Sequence, residues 1–250
     1  VEDGRTVWPT GVDASACLVP SPNFYGLIED LAAARAACDG LLLVSADPVA
    51  CALMRSPGSY GADVVVGEGQ SLGVAQGFGG PYVGLFATRK DLVRNIPGRI
   101  VGKTTEAHGD REGYVMTLRT REQDIRREKA TSNICTNEAL MALANTVHLA
   151  AIGKSGLMKV AEGSVRNARY AEAKLAERGV KRVHGGRYFA EFVVRTSGSA
   201  AAVRDRGLDR GLLAGLPLSE VGGAADELLL AFTELRTPEE IDRLVDLLAA

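Results

Sequence analysis

Short, continuously apolar runs separated by helical patterns dominate the first half of the chain. The runs predict strands at residues 16–20, 41–45, 63–66 and 82–88, and helical spacing predicts a helix over 26–38. Asp47-Pro48 is typical of a helix start, because Asp is a favoured N-cap and Pro suits the first helical position. Strands without alternation that are separated by helices favour a parallel sheet covered on both faces.

The pattern changes towards the carboxyl end. Helical spacing over 136–151 and 155–178 predicts two long helices, ended by Gly153 and Gly179. Two strands, at 189–196 and 228–233, precede a helix that begins with a capping box at Thr237. The segment 97–113 lacks periodicity and predicts a surface loop, with a short strand at 114–118. We therefore predict a large α/β domain over residues 1–150 and a small α+β domain over 151–250, with antiparallel strands.

Composition and charge narrow the classes of function. The chain has 250 residues and a net charge of −2, which argues against a nucleic-acid partner. No apolar run is long enough to cross a membrane. Its four cysteines form no C-x-x-C pair and its three histidines are scattered, so we expect a reduced, cytoplasmic protein without a metal site. The sequence starts Val-Glu-Asp, without Met, and we expect a fragment of a longer protein.

Two glycine-containing segments are candidate ligand sites. Residues 98–104 resemble a phosphate-binding loop. Pro97 stands where the Walker pattern needs Gly, so no nucleotide site is expected there. The segment 61–84 contains eight glycines. Such a backbone can pass close to a ligand or a partner, which we favour, although a tortuous loop between buried strands would also account for it.

A basic segment is the remaining candidate. Arg126, Arg127 and Lys129 supply cations, and Thr131, Ser132 and Asn133 supply neutral donors. We expect these groups to bind a carboxylate or a phosphate, helped by the amino end of the helix that follows. The alternative is a solvated charged face, an interpretation that we adopt for Arg121 and Glu122.

Several segments together resemble the glycine cleavage system P-protein family, the decarboxylating glycine dehydrogenases. The segments that carry the resemblance are 21–26, 45–48, 61–73, 78–82, 97–102 and 121–136. The resemblance covers nearly the whole chain and is strongest to the C-terminal part of the alpha subunit (subunit 1) of the two-subunit form.

The resemblance implies a fold and an activity. The fold would be α/β, of the pyridoxal-phosphate (PLP) transferase fold type I, similar to aspartate aminotransferase. This chain would supply the C-terminal part of the large domain and a small C-terminal α+β domain. The family decarboxylates glycine, with PLP as the electron sink, and passes the aminomethyl group to the lipoyl arm of H-protein. The beta subunit carries the lysine that holds PLP, so the partners implied are a beta subunit and lipoylated H-protein.

The resemblance also implies that no catalytic residue lies in this chain. Ser71 stands where the PLP-binding lysine would be, and a serine cannot form an imine with the cofactor. Asp47 matches the aspartate that pairs with the pyridine nitrogen, although a helix cap is a sufficient explanation for it. Residues 126–133 are expected near the partner's active site. Two alternatives remain open: a degenerate transferase-fold scaffold without a direct catalytic role, and a PLP enzyme that uses an unrecognised lysine.

Overall fold

The fold consists of a four-stranded sheet, a projecting hairpin, one long helix and a small antiparallel sheet. A computed structural model describes residues 1–130 and 138–250. From the amino end, its strands and helices are β1 (Ala16–Ser21), α1 (Leu31–Ala37), β2 (Leu41–Ala46), β3 (Val64–Glu68), β4 (Gly84–Thr88), β5 (Ile100–Thr105), β6 (Glu112–Thr117), α2 (Gln123–Arg126), α3 (Ala139–Glu177), β7 (Glu191–Arg195), α4 (Ala200–Asp209), β8 (Leu216–Pro217), β9 (Glu227–Ala231) and α5 (Pro238–Leu248).

The large sheet has the order β1-β2-β3-β4. The first three strands are parallel, as predicted, whereas β4 runs antiparallel to β3. One face packs on α1 through buried side chains such as Val19, Leu42 and Val44. On the other face Leu18 is 64% exposed and Phe86 43% exposed. The prediction of a wholly parallel sheet covered on both faces is therefore wrong for β4 and, within the described residues, for one face.

The first predicted helix is shorter than its sequence pattern. It begins at Leu31, after the N-cap residue Asp30, whose carboxylate accepts hydrogen bonds from the Ala32 and Ala33 amides. The preceding residues are not helical, because Leu27 forms an antiparallel bridge with Tyr188 of the carboxyl-terminal half. A long-range backbone pairing thus replaces the first helical turns.

A projecting hairpin replaces the predicted surface loop at 97–113. Strands β5 and β6 are antiparallel, and Ile100 pairs with Thr117 at one end and Thr105 with Glu112 at the other. Side chains on this hairpin are exposed, among them Val101 (61%) and Tyr114 (75%). Since neither face is fully buried, the strands carry no alternating pattern, and the prediction of a loop is wrong for this reason.

The long helix α3 links the two halves of the fold. It is bent at Gly153, whose φ of 60° and ψ of −175° interrupt the helical backbone, so the two predicted helices are confirmed as two arms. It ends at Glu177, with Arg178 as its C-cap, and Gly179 follows with a φ of 81°. The capping box at Thr237 is present, with both hydrogen bonds to and from Glu240.

Among residues 1–130 and 138–250, the buried side chains form three groups. One group lies under the large sheet, and Trp8, the single tryptophan of the chain, packs against it. A second joins α3, the β7-β9-β8 sheet and α5, with Leu27 contributed from the amino-terminal half. The third, with Val49, Leu72 and Phe189, lies between them. No helix in the described part of the chain is long and apolar enough to cross a membrane. The domain boundary at 150 stays a prediction.

Candidate functional site

A cavity of about 190 Å³ lies beside the carboxyl ends of β2 and β3, where they meet the small domain. Asp47 follows β2 and Ser71 follows β3, so both reach the cavity from the edge at which ligands bind in open α/β sheets. The small domain contributes side chains from α3 and from the β7 and β9 region. The lining residues are Pro22, Gly26, Asp47, Val49, Ser71, Val160, Ser164, Phe189, Ala190, Glu191, Ala231, Phe232, Thr233 and Glu234.

Asp47 has two structural roles. Its Oδ1 atom accepts hydrogen bonds from the Val49 amide at 2.7 Å and the Ala50 amide at 3.0 Å. The carboxylate therefore caps the turn that leads into the short 3₁₀ helix Ala50–Ala52, where Asp47-Pro48 predicts the start of a longer helix. The same carboxylate lines the cavity, so capping and a position in the site coexist.

Glu191 lines the same cavity as Asp47. Burial, and after it the negative charge of Asp47, raise the pKa of the Glu191 carboxyl. No hydrogen bond to its carboxylate is found among the described residues. A carboxylate that is largely withdrawn from water and unpaired is costly, which makes this the least satisfied charge of the site.

The lining does not fit PLP. Ser71 offers a hydroxyl where imine formation needs an amine, and no lysine is found among the described residues that line the cavity. A phosphate-bearing cofactor also needs cations or free backbone amides. The described lining has no Lys, Arg or His and instead brings in Asp47, Glu191 and Glu234. In the described chain, no cluster of His, Cys, Asp and Glu suited to a metal ion is present either.

The glycine-rich stretch packs against α3. A Cβ atom at Gly69 would lie 2.6 Å from the Asn145 amide nitrogen, and one at Gly73 would lie 2.5 Å from the His148 side chain. Asn145 also donates a 2.7 Å hydrogen bond to the Gly69 carbonyl. Close approach of the backbone explains Gly69 and Gly73, but the neighbour is a helix of the same chain. That the glycine-rich stretch lies close to a ligand or a partner stays a prediction.

The basic segment is only partly visible. Arg126, Arg127 and Lys129 are exposed at the end of α2 and just beyond it. Among the described residues, neither arginine forms an ion pair with Glu122 or Glu128, so the expected pairs of a solvated face are not observed. Thr131, Ser132 and Asn133 lie outside the described residues. The anion-binding role of the segment stays a prediction.

The prediction for Arg121 is wrong. The residue was expected on a solvated face, but it is only 6% exposed and donates hydrogen bonds to the Ile96 and Gly98 carbonyls. This arginine fixes the base of the hairpin.

Sequence reasoning missed Glu191 and Glu234 as site residues. Glu191 lies in a strand pattern that places it on the exposed face, and its neighbour Asp47 is far away in the sequence. No local signal marks a contact that depends on how the two halves pack.

The fold defines a class of protein. The structure matches a "NIFS-LIKE PROTEIN" with a TM-score of 0.63 at 14% identity, over 96% of this chain and 61% of that one. It matches an aspartate aminotransferase from Thermus thermophilus with a TM-score of 0.56 at 14% identity, over 93% and 63%. Likenesses of this kind show the fold, which is fold type I of the PLP-dependent enzymes, as the sequence predicted.

Sequence similarity gives the family. The model of the glycine cleavage system P-protein matches residues 3–248, and the chain belongs to this family. It is 53% identical over 242 residues to a probable glycine dehydrogenase (decarboxylating) subunit 1 of Thermomicrobium roseum, covering 94% of this chain and 54% of that protein. A protein of the same name from Moorella thermoacetica is 48% identical over 257 residues, covering 98% and 57%.

A solved structure supports the same family. The crystal structure of a glycine decarboxylase (P-protein) of the glycine cleavage system, in inhibitor-bound form, superposes with a TM-score of 0.91 at 40% identity. The match covers 100% of this chain and 58% of that chain. The chain thus spans little more than half the length of the curated relatives it matches.

Proposed function

We propose that this chain acts within a subunit of glycine dehydrogenase (decarboxylating) of the glycine cleavage system. The observation that carries the proposal is the family match over residues 3–248, together with relatives that are named as subunit 1 of such an enzyme. In this proposal the complete enzyme decarboxylates glycine and transfers the aminomethyl group to the lipoyl group of H-protein. The free thiols of Cys17, Cys38 and Cys51 favour a reducing compartment, and we place the enzyme in the cytoplasm.

The cofactor belongs to a partner beta subunit in this proposal. PLP, when bound there, supplies the electron sink for loss of CO₂. Ser71 and the acidic lining argue against PLP in the cavity of this chain. The chain contributes instead by shaping the subunit contact and by presenting the basic segment at the edge of the partner's site.

The basic segment has a chemical role in the complex. Glycine and PLP both carry anionic groups, a carboxylate and a phosphate, that must be held in a fixed pose. Arg126, Arg127 and Lys129 are exposed cations without ion pairs among the described residues, and they are available for this purpose. Arginine presents a planar set of donors that fits both anions.

Reconstitution tests the proposal. The chain would be expressed alone, the beta subunit alone, and both together, and release of labelled CO₂ from glycine would be measured with lipoylated H-protein. We expect decarboxylation only when both subunits are present. Activity of the beta subunit alone, unchanged on addition of this chain in a stable complex, would favour the scaffold without a catalytic role.

Covalent trapping addresses the other alternative. The chain alone would be incubated with PLP and treated with borohydride, and its mass would be measured. We expect no reduced adduct, because no lysine lines the cavity among the described residues. A stoichiometric adduct on one lysine would support a PLP enzyme that uses an unrecognised lysine.

A further inference from the structure

The cavity at the ends of β2 and β3 has the size of a small-ligand site. Its volume is about 190 Å³. For comparison, an apolar protein cavity of about 150 Å³ takes up benzene. The cavity therefore has room for a ligand somewhat larger than benzene.

One wall of the cavity is mainly apolar and another carries acidic side chains. Val49, Phe189 and Phe232 are buried and provide an apolar surface. The Ser164 hydroxyl is also buried, and it accepts a 3.1 Å hydrogen bond from the Glu234 amide. A ligand with a hydrocarbon body would contact the apolar surface and place its polar end against the opposite wall.

The opposite wall is negatively charged. Asp47 and Glu191 are close enough for the charge of one to raise the pKa of the other, and Glu234 lies at the exposed rim. The Glu191 carboxylate has no hydrogen-bond partner in the described chain, and no cation lines the cavity there. These acidic groups do not form a metal-binding cluster, so a compact ion is not the matching ligand. This acidic wall matches a ligand that carries a cationic hydrogen-bond donor on an organic body.

We propose that this cavity binds a small primary ammonium compound, with the ammonium group between Asp47 and Glu191 and the hydrocarbon body against Phe189 and Phe232. The proposal concerns the lining of this cavity and does not rest on the proposed function. A primary ammonium has three donors, which can satisfy both carboxylates at once. Anionic ligands are rejected, and so is a zwitterion as small as glycine, because its carboxylate would lie among the acidic side chains.

Three isosteric probes separate charge from shape. Benzylammonium, benzyl alcohol and benzoate have nearly the same body and differ in the charge of one end. Binding to the 250-residue chain would be measured by calorimetry and by ligand-detected NMR at neutral pH. We expect benzylammonium to bind at least tenfold more tightly than benzyl alcohol, which corresponds to about 1.4 kcal/mol, and benzoate not to bind. Equal binding of the amine and the alcohol, or no binding of the amine at millimolar concentration, would overturn the proposal.

Matched variants locate the site. Glu191→Gln removes the unpaired charge with almost no change of shape, and Glu162→Gln makes the same change on the exposed side of α3, outside the cavity. We expect Glu191→Gln to weaken benzylammonium binding at least tenfold and Glu162→Gln to leave it unchanged. A melting temperature measured for each variant confirms folding. An equal loss in both variants, or full binding by a folded Glu191→Gln protein, would refute the assignment.

Discussion

The ionised carboxylate of Glu191 lowers the stability of the fold, because it is largely buried and lies near the negative charge of Asp47. Burial and Asp47 raise the pKa of this carboxyl above its value in the unfolded chain. An acid whose folded-state pKa is raised destabilises the fold at pH values above that pKa. The penalty fades as the pH falls, and it is absent below the unfolded-state pKa of about 4.3.

We therefore predict that Glu191→Gln stabilises the chain at neutral pH. A gain of 1 kcal/mol in the free energy of unfolding would raise the melting temperature by about 2–4 °C in a chain of this length. Melting temperatures of wild type and variant, measured from acidic to neutral pH, should converge at the acidic end. A gap that is constant with pH would show that the carboxylate charge is not the cause.

Arg121 is a second buried charge, but its guanidinium donates hydrogen bonds to backbone carbonyls. Its guanidinium donates to the Ile96 and Gly98 carbonyls and is almost inaccessible. We predict that Arg121→Ala lowers the free energy of unfolding by about 1–3 kcal/mol, through lost hydrogen bonds and lost packing. Arg119→Ala is the matched control, since Arg119 is half exposed and pairs with Asp124 on the surface, where such pairs contribute about 0–1 kcal/mol. Urea denaturation would compare the two, and equal losses would contradict the prediction.

Among the elements, the basic segment beyond α2 carries the prediction about activity. In the reconstituted enzyme, Arg127→Ala or Lys129→Ala should lower glycine decarboxylation at least tenfold, a change of about 1.4 kcal/mol in the activation barrier. Arg206→Ala, an exposed arginine on α4, should leave the rate unchanged. Gel filtration of each variant with its partner subunit would confirm assembly. Wild-type rates in intact complexes would mean that the segment is a solvated face.

The elements also show where sequence patterns suffice. Strand β2 and helix α5 follow from local signals: a continuous apolar run, and a capping box at Thr237 with an apolar face behind it. The direction of β4 does not follow, because it depends on the course of the loop after β3. The β5–β6 hairpin is equally hidden, since its exposed faces leave no hydrophobic alternation to detect.

The candidate site was only half predictable for a related reason. Asp47 and Ser71 follow strand ends and lie in segments that resemble the family, so they could be named from the sequence. Glu191 could not be named, because its role arises from the packing of the small domain against the large sheet. The burial of Arg121 likewise depends on carbonyl groups some 25 residues earlier in the chain.

At the scale of the whole molecule, two apolar surfaces remain uncovered in this structure. Leu18 and Phe86 are exposed on one face of the large sheet. On the first arm of α3, Leu143 (58%) and Val147 (60%) are exposed at helical spacing. Several exposed apolar side chains on one face are typical of contacts between subunits.

We predict that the chain alone self-associates through these surfaces. Analytical ultracentrifugation across a dilution series should show oligomers, and the double variant Leu143→Glu/Val147→Glu should lower the average mass. Leu213→Glu, at an isolated site that is 80% exposed, is the control and should have no effect. A wild-type chain that sediments as a monomer at every concentration would contradict the prediction.

The position of Trp8 has a practical consequence for spectroscopy. As the single indole of the chain, packed against the core under the large sheet, it makes selectively excited tryptophan fluorescence a reporter of that core alone. Far-ultraviolet circular dichroism instead reports mainly the helical content, most of which lies in α3, α4 and α5. If residues 1–150 and 151–250 form separate folding units, we predict that the two signals change at different urea concentrations; coincident transitions would show that the kinked helix α3 couples both halves into one cooperative unit.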